Sequence, residues 1–157
     1  AVTWCDYRFF LKKGSNFPVC TGGRTLGVFG NIRKDLESLY LAQHYCEVVN
    51  KITPAQSPSP EKYGLLLGAL RDLDEYGPAF WLRRSFTLRA LELAGFGFRE
   101  TAAGPEAELW ETLHGEDRLA VRALKEDQGT ADFIDGLFNR FFGEHMGIDL
   151  RTLPFVK

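Results

Sequence analysis

Three arginines stand where an apolar helix should have none. In PAFWLRRSFTLRALELAGF, the residues Phe80, Trp81, Leu82, Phe86, Leu88, Leu91 and Leu93 cover most of a helical circumference, yet Arg83, Arg84 and Arg89 interrupt them. A guanidinium cannot be buried without compensation, so these arginines call for water, a carboxylate or an acidic ligand close by. One internal answer pairs Arg84 with an acid at the edge of the core, such as Glu92 or Asp72. A second group of reactive side chains lies near the start, where Trp4, Arg8, Phe10 and Lys12 alternate along one face of a strand. Rings interleaved with cations can stack bases and neutralise phosphates, although alternation alone equally describes a sheet face covered by another element. The other chemistry-bearing residues form no constellation. Cys5, Cys20 and Cys46 lie far apart without a C-x-x-C pair, and His44, His114 and His145 have no ligand-spaced partners. They read as surface or internally satisfied histidines. Asp72, Asp74 and Glu75 read as a solvated helix face. No phosphate loop, nucleophile elbow or zinc-protease motif occurs, and nothing in the residues supports an enzyme, a cofactor or a bound metal.

The elements that must position these groups follow from periodicity and punctuation. VTWCDYRFFLKKGSNFPVCTGG reads as a hairpin with its turn at Gly14-Ser15. That register sets Cys20 opposite Phe9 and Cys5 opposite Arg24. It puts Cys5, Tyr7, Phe9 and Leu11 on the face expected to be core. After TGGRTLGVFG the chain turns helical. Asn31 is the expected cap of a helix whose stripe is Ile32, Leu36, Leu39, Cys46, Val49 and Ile52. TPAQSPSP, with three prolines, breaks it, and Ser59-Pro60-Glu61 starts the next. There Tyr63, Leu66, Leu67, Leu70 and Leu73 form the expected buried stripe, up to Gly77-Pro78. The arginine-bearing helix is the expected central one, with Gly95 as its C-terminal stop. Shorter helices are expected at Pro105–Leu113 and Glu116–Glu126. A further helix, capped by Thr130, carries Phe133, Ile134, Leu137, Phe138, Phe141, Phe142 and Met146, and GIDLRTLPFVK reads as extended. The fold class is α+β, mostly α, with a basic β segment over 1–30 and a helical domain over 31–157, broken at 53–60.

Charge is distributed unevenly. Residues 1–34 hold six bases, Arg8, Lys12, Lys13, Arg24, Arg33 and Lys34, against Asp6 alone, so this part carries +5 and the remainder −7 within a net −2. Such asymmetry hints at an end that faces nucleic acid. No apolar run reaches the length of a membrane helix, and a cytoplasmic chain with reduced cysteines is the expectation.

The order of segments is itself informative. A basic hairpin is followed by IRKDLESLYLAQHYCEVVNKITP, a proline-rich break, EKYGLLLGALRDL, LRRSFTLRALELAGFGF and FIDGLFNRFFGEHMGIDLRTLPF. From about Trp4 to Phe155 this resembles the RecO family of bacterial recombination mediators. The resemblance implies an N-terminal OB fold followed by an all-helical domain, and a protein acting without a chemical step in DNA repair and recombination after DNA damage. It implies binding to single-stranded and double-stranded DNA, strand annealing, cooperation with RecR, and help for RecA in replacing single-stranded DNA-binding protein. The acidic C-terminal tail of that protein docks on the helical domain beside an arginine just ahead of an F-x-L-x-x-L core. Here that arginine is Arg84, with Arg83 beside it. The DNA-binding candidates are Trp4, Arg8, Phe10, Lys12, Lys13, Arg24, Arg33 and Lys34. Two departures matter. The residues before Asn31 supply two or three of the five strands of an OB fold, so the chain is expected to lack an N-terminal portion and to bind DNA weakly. Relatives often hold zinc in cysteines after the central helix, whereas Phe96 to Trp110 has no cysteine, and no metal is carried over. The alternatives are a helical interaction module of unrelated role and a helical protein that encloses a small ligand.

Overall fold

A computed structural model describes residues 2–55, 57–98 and 107–156 of the chain. Among the described residues two antiparallel strands, β1 (Thr3–Phe10) and β2 (Val19–Val28), precede six helices: α1 (Leu36–Ile52), α2 (Pro60–Tyr76), α3 (Leu82–Leu93), α4 (Ala107–His114), α5 (Arg118–Ala123) and α6 (Gln128–Arg140). A π-helical turn, Phe141–His145, continues α6, and a 3-10 turn spans Leu153–Phe155. No helix among the described residues is long and apolar enough to cross a membrane.

The hairpin register begins as the turn dictates, with Phe9 opposite Cys20 and Phe10 opposite Val19. It then slips between Arg8 and Phe9, so Cys5 faces Thr25, not Arg24. Thr21 is the extra residue, and its hydroxyl donates to the Arg8 carbonyl at 3.2 Å. The face expected to be core is open: Tyr7, Phe9 and Leu11 are each about 60% exposed. Alternation tells which side chains share a face, not whether anything covers it, and no second layer lies on this face among the described residues. Trp4, on the opposite face, is the residue that packs down. It donates to the Tyr63 hydroxyl at 2.7 Å and lies beneath the Arg71 guanidinium at 4.9 Å.

The link into the helices is tightly held. Asp74 accepts from the backbone N–H groups of Asn31 at 2.8 Å and Ile32 at 3.0 Å, while the Asn31 amide donates to the Asp74 carbonyl. Asn31 therefore opens a 3-10 turn (Ile32–Lys34), and Asp35 caps α1 by accepting from Ser38. With the start moved to Leu36, the buried stripe becomes Leu41, Ala42, Tyr45, Val48 and Ile52, and Leu36 lies at 63% exposure. On α2 the buried apolar positions are Leu65, Ala69, Leu70 and Leu73, with Tyr63 exposed. Asp72 is buried and bonded to Arg122 at 2.7 Å, and Asp74 clamps the preceding link, so these two acids are structural, while Glu75 is exposed as a solvated face requires. Asp127, not Thr130, caps α6. Its carboxylate accepts from the N–H groups of Gly129 and Thr130 and from the Thr130 hydroxyl.

Helix α3 lies at the centre, against α1, α2, α4, α5 and α6. Leu88, Ala90 and Leu91 are fully buried, and the Tyr45 and Phe86 rings stack at 4.1 Å. Burial of each leucine contributes about 1.5–3 kcal/mol. The two buried hydroxyls of α3 find internal partners, as burial requires. Ser85 donates to the Leu113 carbonyl and Thr87 to the Arg83 carbonyl. The helix ends in a Schellman turn, with Gly95 at φ 89° and the Phe96 N–H on the Leu91 carbonyl. Phe96 and Phe98 then fold back edge-on to Phe141. Residues 99–106 of the following connection lie outside the described residues, as does the expected start of α4 at Pro105.

Candidate peptide-binding groove and basic hairpin

Because α3 is covered almost all round, Arg83 and Arg84 are carried inward with it. Their side chains are 5% and 3% exposed. Both guanidiniums converge on one atom, Asp135 Oδ2 of α6, at 2.5 Å from Arg83 Nη2 and 2.7 Å from Arg84 Nη2. Arg84 also donates to the Phe80 carbonyl and lies over the rings of Phe80 and Trp81. The partner is therefore neither Glu92 nor Asp72. Its position carried a signal, since Asp135 follows Ala131 by four residues and precedes Phe138 by three, both of them buried.

Two cations on one carboxylate leave the cluster a positive charge in excess. Burial, followed by the charge of Arg83, lowers the pKa of Arg84 from its ordinary value. The Nε groups of both arginines and Oδ1 of Asp135 are buried without a hydrogen-bond partner among the described residues. Beside the cluster lies a groove of about 380 Å³, walled by Leu41, Pro78, Ala79, Phe80 and Val156 and reached by Arg83. Arg83, not Arg84, is the arginine that meets this cavity. Glu37 and Glu126 also border it.

The groove owes one wall to the C-terminal segment. Glu47 of α1 accepts from the N–H of Arg151, the N–H of Thr152 and the Thr152 hydroxyl at 2.6–2.9 Å. The Glu47 carboxyl titrates below its ordinary value because these bonds outweigh the opposing effect of burial. His44 Nδ1 lies 2.8 Å from the Thr152 hydroxyl, and Phe155 stacks on Tyr40 at 5.1 Å. This anchoring, which carries Val156 to the groove, has no local sequence signature. Burial, reinforced by the charge of Arg83, lowers the His44 pKa to about 4, so the ring is neutral near pH 7.

The hairpin brings some of the basic candidates together. Arg8 and Phe10 share a face of β1, Arg24 pairs with Asp6 across the strands, and Lys12 and Lys13 stand exposed near the tip. A shallow hollow of about 400 Å³ lies between Asp6, Arg8, Gly22 and Arg24. Trp4 is not on this open surface, being occupied by Tyr63 and Arg71. Arg33 and Lys34 lie at the base, bonded to the Thr3 hydroxyl and to the Asn31 side chain. No group of three or more His, Cys, Asp or Glu side chains among the described residues is placed to hold a metal ion.

A family model described as Recombination protein O C terminal matches residues 33–103, from the end of the hairpin link through α1, α2 and α3. The chain is 36% identical over 94 residues to the DNA repair protein RecO of Desulforudis audaxviator, covering 60% of this chain and 37% of that protein. It is 30% identical over 93 residues to the DNA repair protein RecO of a Dehalococcoides mccartyi strain, covering 59% of this chain and 37% of that one. The matched part spans little more than a third of the length of these curated relatives. No solved structure matches. The arginine-bearing central helix and the two helices before it lie within the matched segment, which is similar to the C-terminal part of RecO proteins.

Proposed function

We propose that this chain serves DNA repair and recombination by binding and not by chemistry, as a RecO-type mediator of the cytoplasm. In this reading the helical domain (31–157) receives the acidic, aromatic-ended C-terminal tail of single-stranded DNA-binding protein in the groove at Arg83. The observation that carries it is the pair of buried guanidiniums sharing one carboxylate oxygen beside an apolar groove. An aromatic ring fits the wall of Leu41, Pro78, Phe80 and Val156, and a carboxylate supplies the counter-charge the arginine pair lacks. Arg84 acts from behind by fixing Asp135 and the Phe80 backbone, and Arg83 meets the peptide.

The hairpin segment (1–30) supplies DNA contacts through Arg8, Phe10, Lys12, Lys13 and Arg24, with Arg33 and Lys34 behind them. Trp4 serves this surface by fixing its base and not by stacking on a nucleotide. Single-stranded and double-stranded DNA, RecR and, indirectly, RecA complete the partner set of this reading.

Fluorescence anisotropy with a labelled peptide ending in aspartates and Phe is the direct assay. Binding in the tens-of-micromolar range, lost in Arg83→Glu and weakened by rising salt, is the expected result. A wild-type chain that leaves the anisotropy unchanged up to a few hundred micromolar (about 5 kcal/mol of binding energy) sinks the partner assignment.

A further inference from the structure

On another side of α3, towards α2 and the α4–α5 connection, lies a cleft of about 700 Å³ that shares no lining residue with the groove at Arg83. Arg89 and Arg118 both line it. The Arg89 side chain is 17% exposed, and its nearest carboxylate, Glu116 Oε1, lies 3.9 Å away on a side chain that is 95% exposed. Such a pair is almost wholly screened and does little to neutralise a half-buried cation. Arg118 makes no hydrogen bond or ion pair among the described residues. Its guanidinium is instead seated against the backbone of Gly68 on α2, where an added Cβ would collide with Nη2. A glycine inside a helix is less stable than alanine, and here it leaves the room that Arg118 occupies.

The two arginines feel each other. After burial, the charge of Arg118 is the next cause that lowers the pKa of Arg89. Arg118 has no ion pair among the described residues and Arg89 meets Glu116 only at 3.9 Å, so a tetrahedral oxyanion seated between them supplies a closer counter-charge than Glu116 does, in the fork geometry guanidiniums favour. The remaining charged groups refine the ligand class. Glu61, Glu92 and Glu116 also line the cleft, with Glu92 3.2 Å from His114 Nδ1. These acceptors repel a bare polyanion and suit a molecule whose other end offers hydrogen-bond donors.

We propose that this cleft binds a small phosphomonoester bearing hydroxyl groups, with the phosphate between Arg89 and Arg118 and the hydroxyls towards Glu61 and Glu116. The site is independent of peptide and DNA binding, so it can fail while that reading stands, and the reverse.

Titration calorimetry of the whole chain with ribose 5-phosphate, inorganic phosphate and free ribose, at constant ionic strength, tests it. Ribose 5-phosphate is expected to bind, inorganic phosphate to bind more weakly, and ribose not to bind. Arg118→Gln and Arg89→Gln are each expected to weaken binding about tenfold or more, as loss of a charge-assisted contact implies. Arg118 makes no hydrogen bond or ion pair among the described residues, so its variant should keep the wild-type circular dichroism spectrum. Gly68→Ala retains both charges but displaces Arg118, and should weaken binding as well. Absence of ribose 5-phosphate binding to the wild type, equal binding by an Arg89→Gln/Arg118→Gln double variant, or binding of ribose as tight as that of its phosphate overturns the proposal.

Discussion

Replacing Asp135 by Asn removes the one carboxylate on which Arg83 and Arg84 both depend. The two bonds, 2.5 and 2.7 Å long, are charge-assisted, and each such bond is worth about 1.5–3 kcal/mol. Breaking a buried ion pair from one side costs about 3–5 kcal/mol, because the remaining charge is stranded. Asp135 is 23% exposed, so water reaches the site in part and the lower end applies, about 3 kcal/mol. For a chain of this size that is a fall in Tm of about 6–12 °C. The same substitution adds a net positive charge beside the groove and should tighten an acidic peptide several-fold at low salt, with the gain shrinking as salt rises. Differential scanning calorimetry and peptide anisotropy on one preparation read both effects. A Tm within about 2 °C of wild type, equivalent to less than about 1 kcal/mol, refutes the view that Asp135 compensates the arginines. Weaker peptide binding in a well-folded variant shows instead that Asp135 orients Arg83 and does not compete with the ligand.

Three further outcomes follow from the packing. His44 is held neutral with a pKa of about 4 against an ordinary value of 6.5, so its stabilisation is complete above pH 6.5 and is lost as pH falls towards 4. Denaturant melts across that window should lose roughly 3 kcal/mol, and His44→Gln should flatten the loss. Glu47→Ala removes the acceptor of three bonds to the C-terminal segment. Hydrogen exchange should then quicken at Arg151 and Thr152 while the amides of α3 stay protected. Leu91→Ala, at a site with no exposure, should cost about 2–5 kcal/mol, read by chemical denaturation.

The elements were more legible in the sequence than their pairings. The proline break, the Ser59-Pro60 start, the Gly95 stop and the central place of α3 all follow from local chemistry that acts within a few residues. Caps were harder. Asn31 and Thr130 have side chains suited to capping, yet Asp35 and Asp127 do the work, because several good cappers crowd each helix start. The buried arginines announced a need without naming its answer. Asp135 comes from a helix about fifty residues away, and only the packing of α6 on α3 selects it over Glu92 or Asp72. The anchoring of residues 150–156 by Glu47 was invisible for the same reason. In the hairpin, alternation sorted the side chains into faces correctly but could not tell a covered face from an open one.

The hairpin has a mechanical consequence. Among the described residues its strands are held to the helices at the base, where Trp4 is pinned to Tyr63 and the following link is clamped to Asp74. With eight residues in β1, it forms a cantilever of about 26 Å. Its register is interrupted twice, near the tip between Arg8 and Phe9 and near the base between Trp4 and Cys5, and each interruption bends and twists the ribbon locally. A load applied near the tip at Phe17 is delivered as a torque to Trp4 on the N-terminal side and to Asp74 on the other. Those two residues both act on α2, so α2 is the helix that would feel the hairpin being pulled.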